Sequence, residues 1–186
     1  AERMKVLGFR SVGRDFPVFL HPVTGEEYAL ARRERKVAVG YRGFEIDAAP
    51  TVTLEEDLAR RDFSVNAMAV PLADWPSLDS LIDPLGGRAD LAAKTIRALG
   101  PTVFQDDPGR LMRAVRLAGQ LRFRVEPGTS KLIAADARLL AEVSPERVRE
   151  EFLNILSLDG AKGQIEVLDH FGLFEQAIPE LQAAKG

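Results

Sequence analysis

The run Asp106-Asp107-Pro108-Gly109-Arg110-Leu111-Met112-Arg113-Ala114-Val115-Arg116 decides how this chain is read. Leu111, Val115 and Ala118 recur at i, i+4 and i+7 with Met112 beside them, the apolar stripe of an amphipathic helix. Arg110, Arg113 and Arg116 recur every three residues away from that stripe, and Asp107 stands one such step before Arg110. The helix can therefore be buried and still present an Asp–Arg edge. A carboxylate only accepts hydrogen bonds and a guanidinium only donates them. Adenine and cytosine, each with an exocyclic amine beside a ring-nitrogen acceptor, match that edge. Guanine and uracil place a carbonyl and an N–H the other way round. A well-paired base edge is worth roughly 1–3 kcal/mol of discrimination. Arg113 and Arg116 are placed for phosphates, which suit the guanidinium fork. Spacing alone favours an ordinary surface salt bridge on an amphipathic helix over a base-reading edge.

Outward from this run the period stays helical. Phe123 and Pro127-Gly128-Thr129 stop one helix and cap the next, and Ser144-Pro145 is an N-cap with proline at the first helical position, opening Glu146 to Leu156. A last helix is predicted over about 162–171. Before residue 100 the pattern is strands and turns. Phe16 to Leu20 reads as a buried strand, Val23-Thr24-Gly25 as a turn, and Glu27 to Ala31 as the returning arm. Arg32-Arg33-Glu34-Arg35-Lys36, followed by Gly40 and Gly43, reads as a basic mobile loop. Thr53-Leu54-Glu55-Glu56 is a capping box whose helix buries Leu54 and Leu58. Leu81-Ile82-Asp83-Pro84 with Gly86-Gly87 reads as a strand end and turn, Ala89 to Lys94 as a short helix, and Thr95 to Leu99 as an extended piece. The expected fold class is α+β, with a mixed-sheet region over residues 1–100 and an all-helical region over 101–186.

A second constellation is Arg60-Arg61-Asp62-Phe63-Ser64-Val65-Asn66-Ala67-Met68-Ala69. Arg61 is of a type to meet a triphosphate, Asp62 and Asn66 to meet ribose hydroxyls, with a small-residue apolar helix expected to follow. Composition bounds the rest. The 186 residues are 46% apolar, enough for a real core, and charges interrupt every long apolar run. No stretch has the order of a signal peptide. Zero cysteines exclude disulfides and thiolate metal sites, and two distant histidines argue against a zinc centre. Asp169-His170 alone makes no metal site. Twenty-five basic against 28 acidic residues give a net charge of −3, which excludes a protein that coats nucleic acid wholesale but leaves room for a local basic site.

These motifs together resemble the bacterial class II tRNA nucleotidyltransferases (CCA-adding enzymes) and their relatives, the bacterial poly(A) polymerases. The resemblance rests on Arg60 to Ala67, on Asp83-Pro84, Gly86-Gly87, Asp90-Leu91 and Ile96-Arg97, on Asp106 to Leu117, and on Glu146-Arg147-Val148 with Glu151. The run Val12 to Pro22 is also similar, and the motifs stand in family order along nearly the whole chain. The resemblance implies a polymerase-β-like head joined to a helical neck, adding CMP and AMP from CTP and ATP to the 3′ end of tRNA in the cytoplasm. Within it Asp107 and Arg110 form the protein template. Arg61, Arg113 and Arg116 fall on triphosphate-holding positions, and residues 33–47 correspond to a flexible loop tied to the switch from CTP to ATP.

The chain departs from the family pattern in three places. Asp106 replaces a glutamate, and Gly109 replaces a leucine. The family's Asp-x-Asp pair, which binds Mg²⁺, has no counterpart here. An N-terminal segment carrying it is the expected explanation, and the 186 residues by themselves are expected to bind nucleotide poorly and to catalyse nothing. Glu45-Ile46-Asp47 and Glu27 are weak substitutes as metal carboxylates. The alternatives are an enzyme adding only A or only CC, a poly(A) polymerase, and a non-catalytic RNA-binding scaffold.

Overall fold

The computed structural model describes residues 2–12, 18–36, 44–47 and 51–180. Their elements are α1 (Glu2–Val6), β1 (Arg10–Val12), β2 (Val18–Leu20), β3 (Glu27–Tyr28), β4 (Arg33–Lys36), β5 (Phe44–Asp47), α2 (Leu54–Ala59), α3 (Gly87–Ala92), β6 (Thr95–Ile96), α4 (Val103–Asp106), α5 (Arg110–Leu121), β7 (Arg124–Val125), α6 (Pro127–Asp136), α7 (Pro145–Leu156), α8 (Ala161–His170) and α9 (Leu173–Ala177). Short 3-10 turns occupy Ser64–Asn66 and Ala137–Glu142. The α+β class is the observed one. No helix among the described residues is long and apolar enough to cross a membrane.

The described residues pack as two compact units, one reaching to Arg60 and one running on from Arg61. In the first unit β1, β2 and β3 form an antiparallel sheet in that order, with the turn after His21 returning the chain as expected. Phe19 is buried; Phe16 lies outside the described residues. The basic stretch expected as a loop is in part a hairpin, because β4 pairs antiparallel with β5 from Arg33↔Asp47 to Lys36↔Phe44. That register sets basic positions opposite acidic ones, which charge runs read singly do not show. Residues 37–43 lie outside the described ones.

The Thr53 capping box forms in full: the Thr53 hydroxyl accepts from the Glu56 N–H, and the Glu56 carboxylate accepts from the Thr53 N–H. Leu58 is fully buried, but Leu54 is exposed. The other buried position on α2 is Asp57, whose Oδ1 accepts from the Arg32 N–H and from Arg60 Nε and Nη2. A buried carboxylate is tolerated there because its donors replace water.

The second unit holds the main core. Leu111, Met112, Ala114, Val115 and Ala118 are buried along one face of α5, packed with Phe104, Ile133, Leu140, Ile155, Leu168 and Leu173 from its neighbours. Three expectations are corrected here. The region after residue 101 is not wholly helical, since β7 pairs in parallel with β6. The N-cap of α6 is Glu126, which accepts from the Thr129 N–H, while Thr129 itself is buried. The small-residue stretch after Asn66 is not a helix either: Ala69 bridges to Ile82. Small apolar residues suit helix and close backbone approach alike, and here the tertiary partner chose.

Candidate functional site

All of the chemistry-bearing residues from Arg61 onward belong to the second unit. Phe63 is fully buried, with an extended backbone that bridges to Ala98, and this turns Asp62 inward. The buried Asp62 carboxylate takes three donors: the Phe63 N–H at 2.8 Å and Asn66 Nδ2 at 3.1 Å on Oδ1, and Arg113 Nε on Oδ2. Arg61 is exposed and donates from Nη1 to the Asn66 carbonyl at 3.0 Å. The structure thus brings Arg61, Asp62, Asn66 and Arg113 together. Asp62 and Asn66 face each other and the arginine.

A second bracket holds this turn. Asp90 Oδ2 accepts from Ser64 Oγ at 2.6 Å and from Arg97 Nε at 2.8 Å, and Arg97 Nη2 donates to the Leu85 carbonyl. Gly87 has no room for a side chain, because a Cβ there stands 2.2 Å from the Ser64 carbonyl oxygen. Asp83 accepts from the Gly87 and Arg88 N–H groups at 2.7 and 2.9 Å. Burial pushes the Asp83 carboxyl up, but the N–H groups of residues 85–88 outweigh it and hold the group below the ordinary carboxylate range. Glu126 is likewise held low, by the Gly128 and then the Thr129 N–H against burial, with the Thr129 hydroxyl and Arg97 adding to the same side.

At the entrance to α5, Asp107 is extended (φ −142°, ψ 100°) and its Oδ1 accepts from the Gly109 N–H at 3.1 Å, closing the turn over Pro108 that leads to Gly109, the helix N-cap. Its ion-pair partner is Arg147 of α7, whose Nη2 lies 3.0 and 2.9 Å from the two carboxylate oxygens. Arg110 instead reaches back towards the Val103 carbonyl at 3.5 Å. Arg116, 16% exposed, donates from Nε to Glu151 at 2.6 Å and from Nη1 to Gln120. Arg147 and Glu151 carry charges that the sequence motifs contain but that had no assigned role. Their signal was two opposite charges four apart on one helix, answering Asp107 just before α5 and Arg116 on it.

Glu27 is exposed on β3. Glu45 and Asp47 stand on β5, opposite Arg35 and Arg33 in the register, and their side chains lie outside the described residues. Asp169 and His170 are exposed at the end of α8. Among the described residues no three His, Asp or Glu side chains gather to hold a metal ion.

Residues 14–97 match the family model described as "Poly A polymerase head domain", and residues 122–185 match "Probable RNA and SrmB- binding site of polymerase A". The chain belongs to the poly(A) polymerase and CCA-adding nucleotidyltransferase family. Its relative in Nitrosococcus oceani, named Multifunctional CCA protein, is 47% identical over 181 residues, covering 96% of this chain and 43% of that protein. Two solved structures of the family share its fold. The Bacillus stearothermophilus CCA-adding enzyme in complex with CTP has a TM-score of 0.72 at 31% identity, over 89% of this chain and 39% of that one. A tRNA nucleotidyltransferase complexed with a primer tRNA and an incoming ATP analog has a TM-score of 0.72 at 31% identity, over 95% and 49%. The chain therefore spans less than half the length of these family members.

Proposed function

We propose that this chain is the nucleotide-selecting part of an enzyme that adds CMP and AMP to the 3′ end of tRNA in the cytoplasm. Residues 1–100 are its share of the head and 101–186 its neck. The observation that carries the reading is the order of Asp107 just before α5, Arg110 at its first residue and Arg113 one turn later, the last locked to Asp62. The Asp107 carboxylate accepts from the exocyclic amine of cytosine or adenine, and the Arg110 guanidinium donates to the adjacent ring nitrogen. Guanine and uracil leave both groups mismatched, at a cost of roughly 1–3 kcal/mol per edge. Arg61 and Arg113 hold the triphosphate, and Asp62 and Asn66 orient them. Arg116 serves by tying α5 to α7 through Glu151. The CTP and ATP-analog complexes of the related structures support CTP and ATP as the nucleotides. Mg²⁺ is the metal the family resemblance implies, and its ligands are not among the described residues.

The gene product carrying this chain is incubated with tRNAs trimmed by none, one, two or three 3′ nucleotides and with labelled CTP or ATP. Stepwise completion to CCA is expected. Exclusive use of ATP on indiscriminate RNA would overturn CCA addition in favour of polyadenylation, the reading that the head-domain match also accommodates.

A further inference from the structure

Gly109 is buried, yet its backbone (φ −60°, ψ −23°) is right-handed helix that any residue adopts. What glycine supplies there is room. A Cβ at this position stands 2.5 Å from Nη2 of Arg147, 3.0 Å from its Cζ and 3.2 Å from Oδ1 of Asp107. The guanidinium of Arg147 lies against the bare turn, and from there Nη2 donates to both oxygens of Asp107.

Each carboxylate oxygen offers about two acceptor directions. Among the described residues, Oδ1 holds two donors, the Gly109 N–H and Arg147, and Oδ2 holds only Arg147. We infer that Arg147, admitted by the missing side chain at Gly109, is a positioning residue that fixes the Asp107 carboxylate and leaves Oδ2 to accept a nucleobase exocyclic amine; this rests on the reading of Asp107 proposed above. The orientation matters because a carboxylate free to turn also suits the wrong bases. Guanine presents an N–H and an amine side by side, which a loose carboxylate accepts with both oxygens, and uracil presents an N–H. Held from α7 and from the helix turn, Asp107 cannot swing to meet them. Selection against G and U then belongs to the unit Asp107–Gly109–Arg147 as much as to Arg110.

Binding of CTP, ATP, GTP and UTP is measured by equilibrium dialysis on the gene product carrying this chain, for the wild type, Gly109→Ala, Arg147→Ala, Arg147→Lys and the Gly109→Ala/Arg147→Ala pair. Gly109→Ala and Arg147→Ala are each expected to lower the CTP-to-UTP and ATP-to-GTP ratios about tenfold, through stronger binding of the wrong bases. The pair is expected to add little to either change alone, since both remove one contact. Arg147→Lys restores part of the ratio, because an ammonium pairs with the carboxylate but lacks the planar fork. Gly109→Ala is expected to keep or raise Tm, alanine being preferred to glycine in helical backbone. Lost selectivity at undiminished Tm separates a positioning role from a merely structural one. An unchanged ratio in Gly109→Ala or Arg147→Ala, against a selective wild type, overturns the inference and leaves the Asp107–Arg110 reading standing. Selectivity lost only together with Tm overturns it as well. A wild type that does not discriminate overturns the Asp107 reading itself.

Discussion

Asp62 and Arg113 are joined across 51 positions of sequence, the buried carboxylate accepting from the Nε of an arginine that is 42% exposed. Pairing through Nε fixes the plane of the guanidinium while directing its far edge outward. Arg113→Ala is therefore expected to weaken CTP and ATP alike, by about tenfold for one charge-assisted contact. Asp62→Asn weakens both nucleotides in the same proportion and lowers Tm, because the Arg113 pair loses its charge. Equilibrium binding of the two nucleotides checks this; a loss confined to one of them contradicts a triphosphate role.

Arg116 and Glu151 form the more enclosed pair, 16% and 22% exposed. A double-mutant cycle with Arg116→Met and Glu151→Gln, read by denaturant unfolding, should give a coupling of about 1–2 kcal/mol, above the exposed-pair range and below that of a fully desolvated one. Coupling near zero would free Arg116 for a direct nucleotide contact.

Thr129 is buried, and its hydroxyl accepts from the Ala98 N–H at 3.0 Å while donating to Glu126. Thr129→Val keeps the shape and strands that N–H. A loss of about 1–2 kcal/mol is expected in chemical denaturation. Hydrogen exchange at Ala98 should rise with it.

Asp83 and Glu126 both titrate below their ordinary values in the folded chain. The native state then binds fewer protons than the unfolded one, so their contribution is full above about pH 4–5 and lost as pH falls through the folded values. Thermal midpoints measured as pH is lowered should fall below about pH 4, and Glu126→Gln should flatten part of that fall. A midpoint that rises on acidification contradicts this sign.

Much of the site was legible in the chain because its signals are local. The stripe Leu111, Met112, Val115 and Ala118 is buried as its period requires, and the Thr53–Glu56 box closes as its spacing requires. The α+β class and the family followed from motifs whose order the chain itself carries. Other readings failed where two segments had to meet. The basic stretch is β4 because it finds β5 as an antiparallel partner, and Leu54 lost its buried place to Asp57, whose donors come from Arg32 and Arg60.

By itself the sequence determined which side chains bear charge, which helix carries them, and at what spacing along it. Tertiary structure alone decided who answers whom: Asp107 pairs with Arg147, Asp62 with Arg113, Arg116 with Glu151. Helical period is a property of neighbouring residues and is written in every turn. An ion pair between distant positions depends on how buried apolar faces bring the segments together and on where a side chain is missing to let one in, as at Gly109.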